Sequence, residues 1–245
     1  MKIQVLGGHG GKSRGHETTS FLIDDKLLVD AGGVSGTLSI EEQTKIDNIL
    51  ITHTHLDHIK DLAFLSDNCF GLRSSPFKVY THRTVKEMIH KHLLNDVIWP
   101  DFTVLPTKEN PTLSIFSVEP EKQINVGGYQ VTAVKVNHAF DAMGYIIDNG
   151  KCAVLFSGDT GPTDRIWEIA HGIKNLKAIF TEVSFPNRLQ HIALISDHHT
   201  AETMSLEMAK MPSGVQVILT HMKPNYCDEV KREVKNLSDP RITVL

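Results

Sequence analysis

The sequence predicts an α/β fold in which two β-sheets pack face to face with helices outside. Three observations lead there. Short apolar, β-branched runs fall into two groups, helical patterns accompany each group, and histidine-rich polar clusters sit immediately after the runs. A chain of 245 residues, 40% of them hydrophobic, can bury one substantial core, so a single domain over 1–245 is expected.

In chain order, residues 2–6, 20–23, 27–30 and 48–52 read as the first group of strands. After a middle region come 113–118, 129–136, 144–148, 153–157, 178–183 and 215–220. YQVTAVKV at 129–136 alternates as a half-buried strand does, whereas AVLFS and VQVILT read as buried on both faces. Residues 83–95 and 162–171 read as helices, the second with Pro162 near its first turn. Ala201, Met204, Met208 and Met211 recur at helical spacing behind Thr200, a good cap, and such a stripe points to core packing. No low-complexity linker or short-period repeat divides the chain.

Composition narrows the partners. A formal charge of −4 gives no long-range attraction for nucleic acid, so nucleic acid is not an expected partner. The N-terminal MKIQVLGGHGG resembles neither a signal peptide nor a membrane span, and a cytoplasmic protein without a membrane partner is expected. Cys69, Cys152 and Cys227 are odd in number and lack a CxxC pattern, which argues against disulfides and against a cysteine zinc site. Fourteen histidines is a high count, and half of them cluster.

In HTHLDH at 53–58, three imidazoles and a carboxylate follow a hydrophobic strand within six residues. If the strand geometry persists, His53 and His55 point the same way and can bind one ion, while Asp57 and His58, displaced by the following turn, reach a second. Each ion needs further donors. His138 and His221 offer isolated imidazoles, and Asp159 can place one oxygen on each ion. The expected sets are His53, His55, His138 and Asp159 for one ion, and Asp57, His58, His221 and Asp159 for the other. For His138, Asp159 and His221, chemistry alone leaves surface histidines and a capped turn as an equal account.

HTHLDH resembles the HxHxDH motif of the metallo-β-lactamase superfamily, and VNH, SGDTG and LTH follow in that superfamily's order. The resemblance covers nearly the whole chain. It implies the αββα four-layer sandwich with mixed sheets, and it favours all seven residues as ligands. It also implies two divalent ions per chain, zinc first, with manganese or iron as alternatives. His55, where flavodiiron oxygen reductases carry a carboxylate, argues against oxygen chemistry.

Paired metals suit in-line displacement at phosphorus, although amide, thioester and lactone hydrolysis can use the same centre. HTHLDHI at 53–59, VIWPDF at 97–102, FTEVSFPN at 180–187 and the HHT step at 198–200 resemble the class II cyclic-nucleotide phosphodiesterases. That resemblance implies a 3′,5′-cyclic nucleotide, cAMP or cGMP, opened to the 5′-monophosphate by a metal-activated water. Asp57 and His198 are the expected catalytic residues, His198 as the acid that protonates the leaving ribose oxygen. Trp99, Phe102 and Phe185 suit walls against a base, with aromatic core or a homodimer contact as the competing account. Asn187 suits a base edge or a turn. Asp30 and Glu182 are expected to orient ligands or the reacting water. No role is assigned to His9, His16, His82, His90, His92, His171 or His191, for which solvent-facing positions are the main expectation. The rival readings are a tRNase Z-like nuclease, a thioester or lactone hydrolase and a non-enzymatic nucleotide-binding protein.

Overall fold

A computed structural model describes residues 1–139 and 141–245. The first sheet has the order β1 (Ile3–Gly7), β2 (Ser20–Ile23), β3 (Leu27–Val29), β4 (Asn48–Leu50), β5 (Phe77–His82), β6 (Leu113–Val118). Its first three strands are antiparallel and the rest parallel. The second sheet repeats that plan. β7 (Gln123–Val126), β8 (Tyr129–Lys135), β9 (Met143–Asp148) and β10 (Ala153–Phe156) are antiparallel neighbours. β11 (Leu176–Glu182), β12 (Gln216–Thr220) and β13 (Ile242–Val244) then continue parallel to β10.

Each sheet is apolar on both faces, which requires four layers. Phe21, Val29 and Leu50 of the first sheet pack between the sheets against Val131, Tyr145, Phe156 and Phe180 of the second. The first sheet's outer face is covered by α2 (Leu56–Asn68) and α3 (Arg83–His92), which bury Ile59, Leu62, Leu65, Val85 and Ile89. The second sheet's outer face meets α4 (Arg165–His171), α6 (Ala201–Met208) and α7 (Cys227–Asn236), which bury Trp167, Met204, Met208, Val230 and Val234. Two short helices, α1 (Ile40–Gln43) and α5 (Gln190–Ile195), complete the set. The αββα sandwich expected from the sequence is the observed fold. No helix among the described residues is long and apolar enough to cross a membrane.

Several boundaries differ from expectation for physical reasons. β4 ends at Leu50, and past it Thr52 N donates to the Asp30 carboxylate at 2.8 Å instead of to a strand. His53 and His55 therefore lie beyond the ladder, and Asp57 and His58 occupy the first turn of α2, a helix hidden in sequence by the metal motif itself. Pro162 precedes α4 rather than sitting in its first turn, because the helix starts after Asp164. Thr200 caps α6 by accepting from Thr203 N, and Met211 is buried although it lies past the helix end. β5, β7, β13, α1, α5 and α7 are elements beyond those expected from the sequence.

Candidate metal centre

Topology gathers the ligands. β8 and β10 are both antiparallel to β9, so β8, β10, β11 and β12 run in one direction. Their C-terminal ends share an edge, where His138, Asp159, Glu182 and His221 follow or close these strands. The parallel β3 and β4 deliver Asp30 and HTHLDH from the other sheet in the same manner.

Four imidazoles converge on one carboxylate oxygen. Asp159 Oδ2 lies 3.7 Å from His53 Nε2, 3.3 Å from His58 Nε2, 3.9 Å from His138 Nε2 and 3.1 Å from His221 Nε2. His55 turns Nδ1 toward His138 Nε2 at 3.3 Å, and Asp57 Oδ2 stands 3.2 Å from His221 Nε2. The expected ligand sets are the two groups brought together, with donor atoms inside each group lying within 4.8 Å of one another.

The other face of each ring shows why the Nε2 atoms point inward. His58 Nδ1 donates to Asp30 Oδ2 at 2.7 Å, and His138 Nδ1 donates to the Asp197 carbonyl at 3.0 Å. His221 Nδ1 lies 3.0 Å from Ser184 Oγ, and His53 Nδ1 3.0 Å from Thr52 Oγ1. A ring that donates from Nδ1 keeps its Nε2 lone pair for a metal. Asp30, Asp197 and His221 hold φ of +57°, +51° and +64°, left-handed values uncommon outside glycine, so the backbone itself is bent to present these groups.

Charge distribution fits paired cations. Burial would raise the Asp159 pKa, but the His221 and His58 rings outweigh it and hold the carboxyl well below the usual range. Burial opposes charge on His58, yet Asp159 and Asp30 outweigh it and raise that ring well above its ordinary value. Burial and the neighbouring His58 hold His53 well below, and its fully buried Nε2 has no hydrogen-bond partner. An orphaned imidazole nitrogen aligned with three others on an ionised carboxylate is the donor set that borderline divalent ions such as zinc bind.

Glycine permits the close packing. A Cβ on Gly32 would lie 1.9 Å from the Asp57 carbonyl oxygen, and one on Gly10 would lie 2.7 Å from the His221 ring.

Beside the centre, His198 is buried, and its ring lies 5.0 Å from that of His138 and 5.5 Å from that of His221. Its Nδ1 donates to Glu182 Oε1 at 2.6 Å, while Ser184 donates to Glu182 Oε2 at 2.8 Å. Burial lowers the His198 pKa, but the Glu182 carboxylate outweighs it and the net shift is upward. Thr52, Ser184 and Asp197 escaped sequence reading, because a hydroxyl or carbonyl oriented by a remote strand leaves no spacing signal.

The expected substrate residues are spread out. Phe185 is half-buried with its ring 5.8 Å from that of His198. Trp99 packs against the first outer core, 5.4 Å from Phe64 of α2, and Phe102 is buried in that core rather than forming a wall. Asn187 Oδ1 accepts from Glu202 N at 2.9 Å, engaging its carboxamide at the start of α6. Among the unassigned histidines, His82 caps α3 and His171 bonds the Lys210 carbonyl, whereas His9 and His16 are half-buried.

This fold and donor set define a metal-dependent hydrolase. Residues 27–222 match the family described as Beta-lactamase superfamily domain, and the chain belongs to that family. Among curated relatives it is 26% identical to 3′,5′-cyclic-nucleotide phosphodiesterase 1 of Saccharomyces cerevisiae, covering 94% of this chain and 73% of that one. It is 25% identical to ribonuclease Z of Methanococcus aeolicus, covering 97% of this chain and 90% of that one. Among solved structures, unliganded yeast PDE1 superposes with a TM-score of 0.83 at 19% identity, covering 99% and 96% of the two chains.

Proposed function

We propose that the chain is a phosphodiesterase that opens 3′,5′-cyclic nucleotides, cAMP or cGMP, to 5′-monophosphates. The observation that carries this reading is His198, buried beside the ligand cluster and held by Glu182. The likeness to a cyclic-nucleotide phosphodiesterase over 94% of the chain supports it. Two divalent ions held by the paired sets, zinc first, would supply a nucleophilic water at neutral pH and offset phosphate charge. The chain's own residues do the rest. As the water oxygen bonds to phosphorus, the bond to the ribose 3′ oxygen breaks, leaving an alkoxide. With Nδ1 engaged by Glu182, His198 Nε2 is the ring atom left to protonate it, a contribution of about 10² to 10⁴ in rate. Phe185, whose ring lies 5.8 Å from that of His198, is the aromatic assigned to stack on the base, an interaction that tolerates any base.

Purified, metal-replete protein is expected to convert cAMP or cGMP to the 5′-monophosphate. Cleavage of precursor tRNA or an acyl thioester with both cyclic nucleotides left intact would overturn the substrate assignment. His198→Ala should slow cyclic-nucleotide hydrolysis far more than hydrolysis of a nitrophenyl phosphodiester, whose phenolate leaves unaided. Equal losses of kcat on both, with metals retained, reject the acid role.

A further inference from the structure

We propose that His9, His16 and Cys227 form a third metal site, separate from the paired centre, that takes one zinc-type divalent ion. A ring nitrogen from each histidine and the Cys227 Sγ lie within 4.8 Å of one another. Tetrahedral zinc, with bonds of about 2.0 Å to nitrogen and about 2.3 Å to sulfur, sets donor atoms roughly 3.3 to 3.6 Å apart. Small side-chain rotations close that gap. The two rings already meet edge to face, with centroids 4.5 Å apart at 84°.

One of the donors lacks any other partner, while the Cys227 thiol makes only a long bond of 3.6 Å to the Lys223 carbonyl. His9 Nδ1 is buried and makes no hydrogen bond, a loss that an ion removes. Burial and the nearby His16 push His9 down to about 4, so at neutral pH its ring is the neutral, ligating form. His16 Nδ1 bonds Ser13 Oγ at 2.9 Å, which fixes that ring and leaves Nε2 to bind. Burial holds the Cys227 thiol above its ordinary value and outweighs the nearby Lys231 ammonium, so the group is a thiol before an ion binds. Binding therefore exchanges the thiol proton, released to solvent, for the ion, and two imidazoles, a thiolate and one water complete four-coordination.

Placement gives the site its use. His9 and His16 lie in the loop between β1 and β2, and Cys227 opens α7. That loop also pairs with the segment after β12, where Gly10 N donates to the Met222 carbonyl at 3.2 Å and Gly10 packs against the His221 ring. An ion here would staple the loop that packs on the His221 ring to the start of α7, so its effect is structural. The odd cysteine count and the lack of a CxxC pattern argued against a cysteine zinc site, and Cys227 lies more than two hundred residues from His9 and His16 along the chain.

The test uses the full chain loaded separately with zinc and with cobalt. Elemental analysis should give three zinc ions per wild-type chain and two in Cys227→Ser and in His16→Ala. The cobalt protein should show a near-ultraviolet thiolate-to-cobalt charge-transfer band that disappears in Cys227→Ser and persists in Asp159→Ala, because the paired sets contain no sulfur donor. Two zinc ions in wild type and Cys227→Ser alike, with no thiolate band, overturn the site. Neither readout depends on the substrate, so the result stands apart from the phosphodiesterase assignment.

Discussion

Replacing Asp30 by asparagine should weaken one metal ion selectively. Asp30 Oδ2 accepts from His58 Nδ1 at 2.7 Å, and Oδ1 accepts from Thr52 N at 2.8 Å. Asparagine tolerates the left-handed φ of +57° and has nearly the same volume, so backbone and packing survive. The change falls on hydrogen bonding. If the new NH2 faces His58, the ring must surrender its Nδ1 proton and carry it on Nε2, where the metal binds. If it faces Thr52, two buried donors oppose each other, costing about 1–3 kcal/mol. Loss of such a partner typically reduces metal affinity about 10- to 100-fold, which is about 1.4–2.7 kcal/mol. Competition against a chelator of known affinity should find one ion weakened by that factor, the one held by Asp57, His58, His221 and Asp159. Both ions bound as tightly as in wild type, at unchanged thermal stability, would refute the orienting role.

Asp159→Ala removes the carboxylate shared by both sets and should lose at least one ion and most activity; two tightly bound ions in the paired centre by elemental analysis would sink the bridging assignment. Glu182→Gln removes the carboxylate that raises His198 and leaves the burial that lowers it. The alkaline limb of the kcat profile should therefore move to lower pH, and an unmoved limb would contradict His198 as the acid. For stability the signs combine. The raised His198 stabilises fully below about 6.5 and loses that contribution as pH rises through its folded value. The depressed Glu182 stabilises above about 4.5 and loses its contribution as pH falls through its folded value. The melting-temperature difference between wild type and Glu182→Gln should thus peak between those limits and shrink on both sides, as pH rises through the folded value of His198 or falls through that of Glu182. Gly32→Ala drives a Cβ into the Asp57 carbonyl and should reduce metal content by shifting the start of α2; an unaltered ion count and melting temperature would show the loop yields freely.

The amino-acid sequence by itself determined the α/β class, most strands and the HTHLDH donors, while His138, Asp159 and His221 were favoured as ligands only through the family resemblance. The reason is local: apolar runs at strand period persist whatever surrounds them, and HTHLDH concentrates donors at a density that packing does not require. It could not show that HTHLDH starts beyond the strand end and runs into the first turn of α2, because the capture of Thr52 N by Asp30 joins residues 22 positions apart. Only tertiary structure decided which nitrogen of each ring faces the metals, since Asp30, Thr52, Ser184 and Asp197 reach those rings through strand order rather than spacing. It also decided that Phe102 is core and that the Asn187 carboxamide is engaged at α6, because both depend on what folds against them. Burial and partner choice are properties of the assembled layers, and His9, His16 and Cys227, unremarkable along the chain, become neighbours only when the loop between β1 and β2 folds against the start of α7.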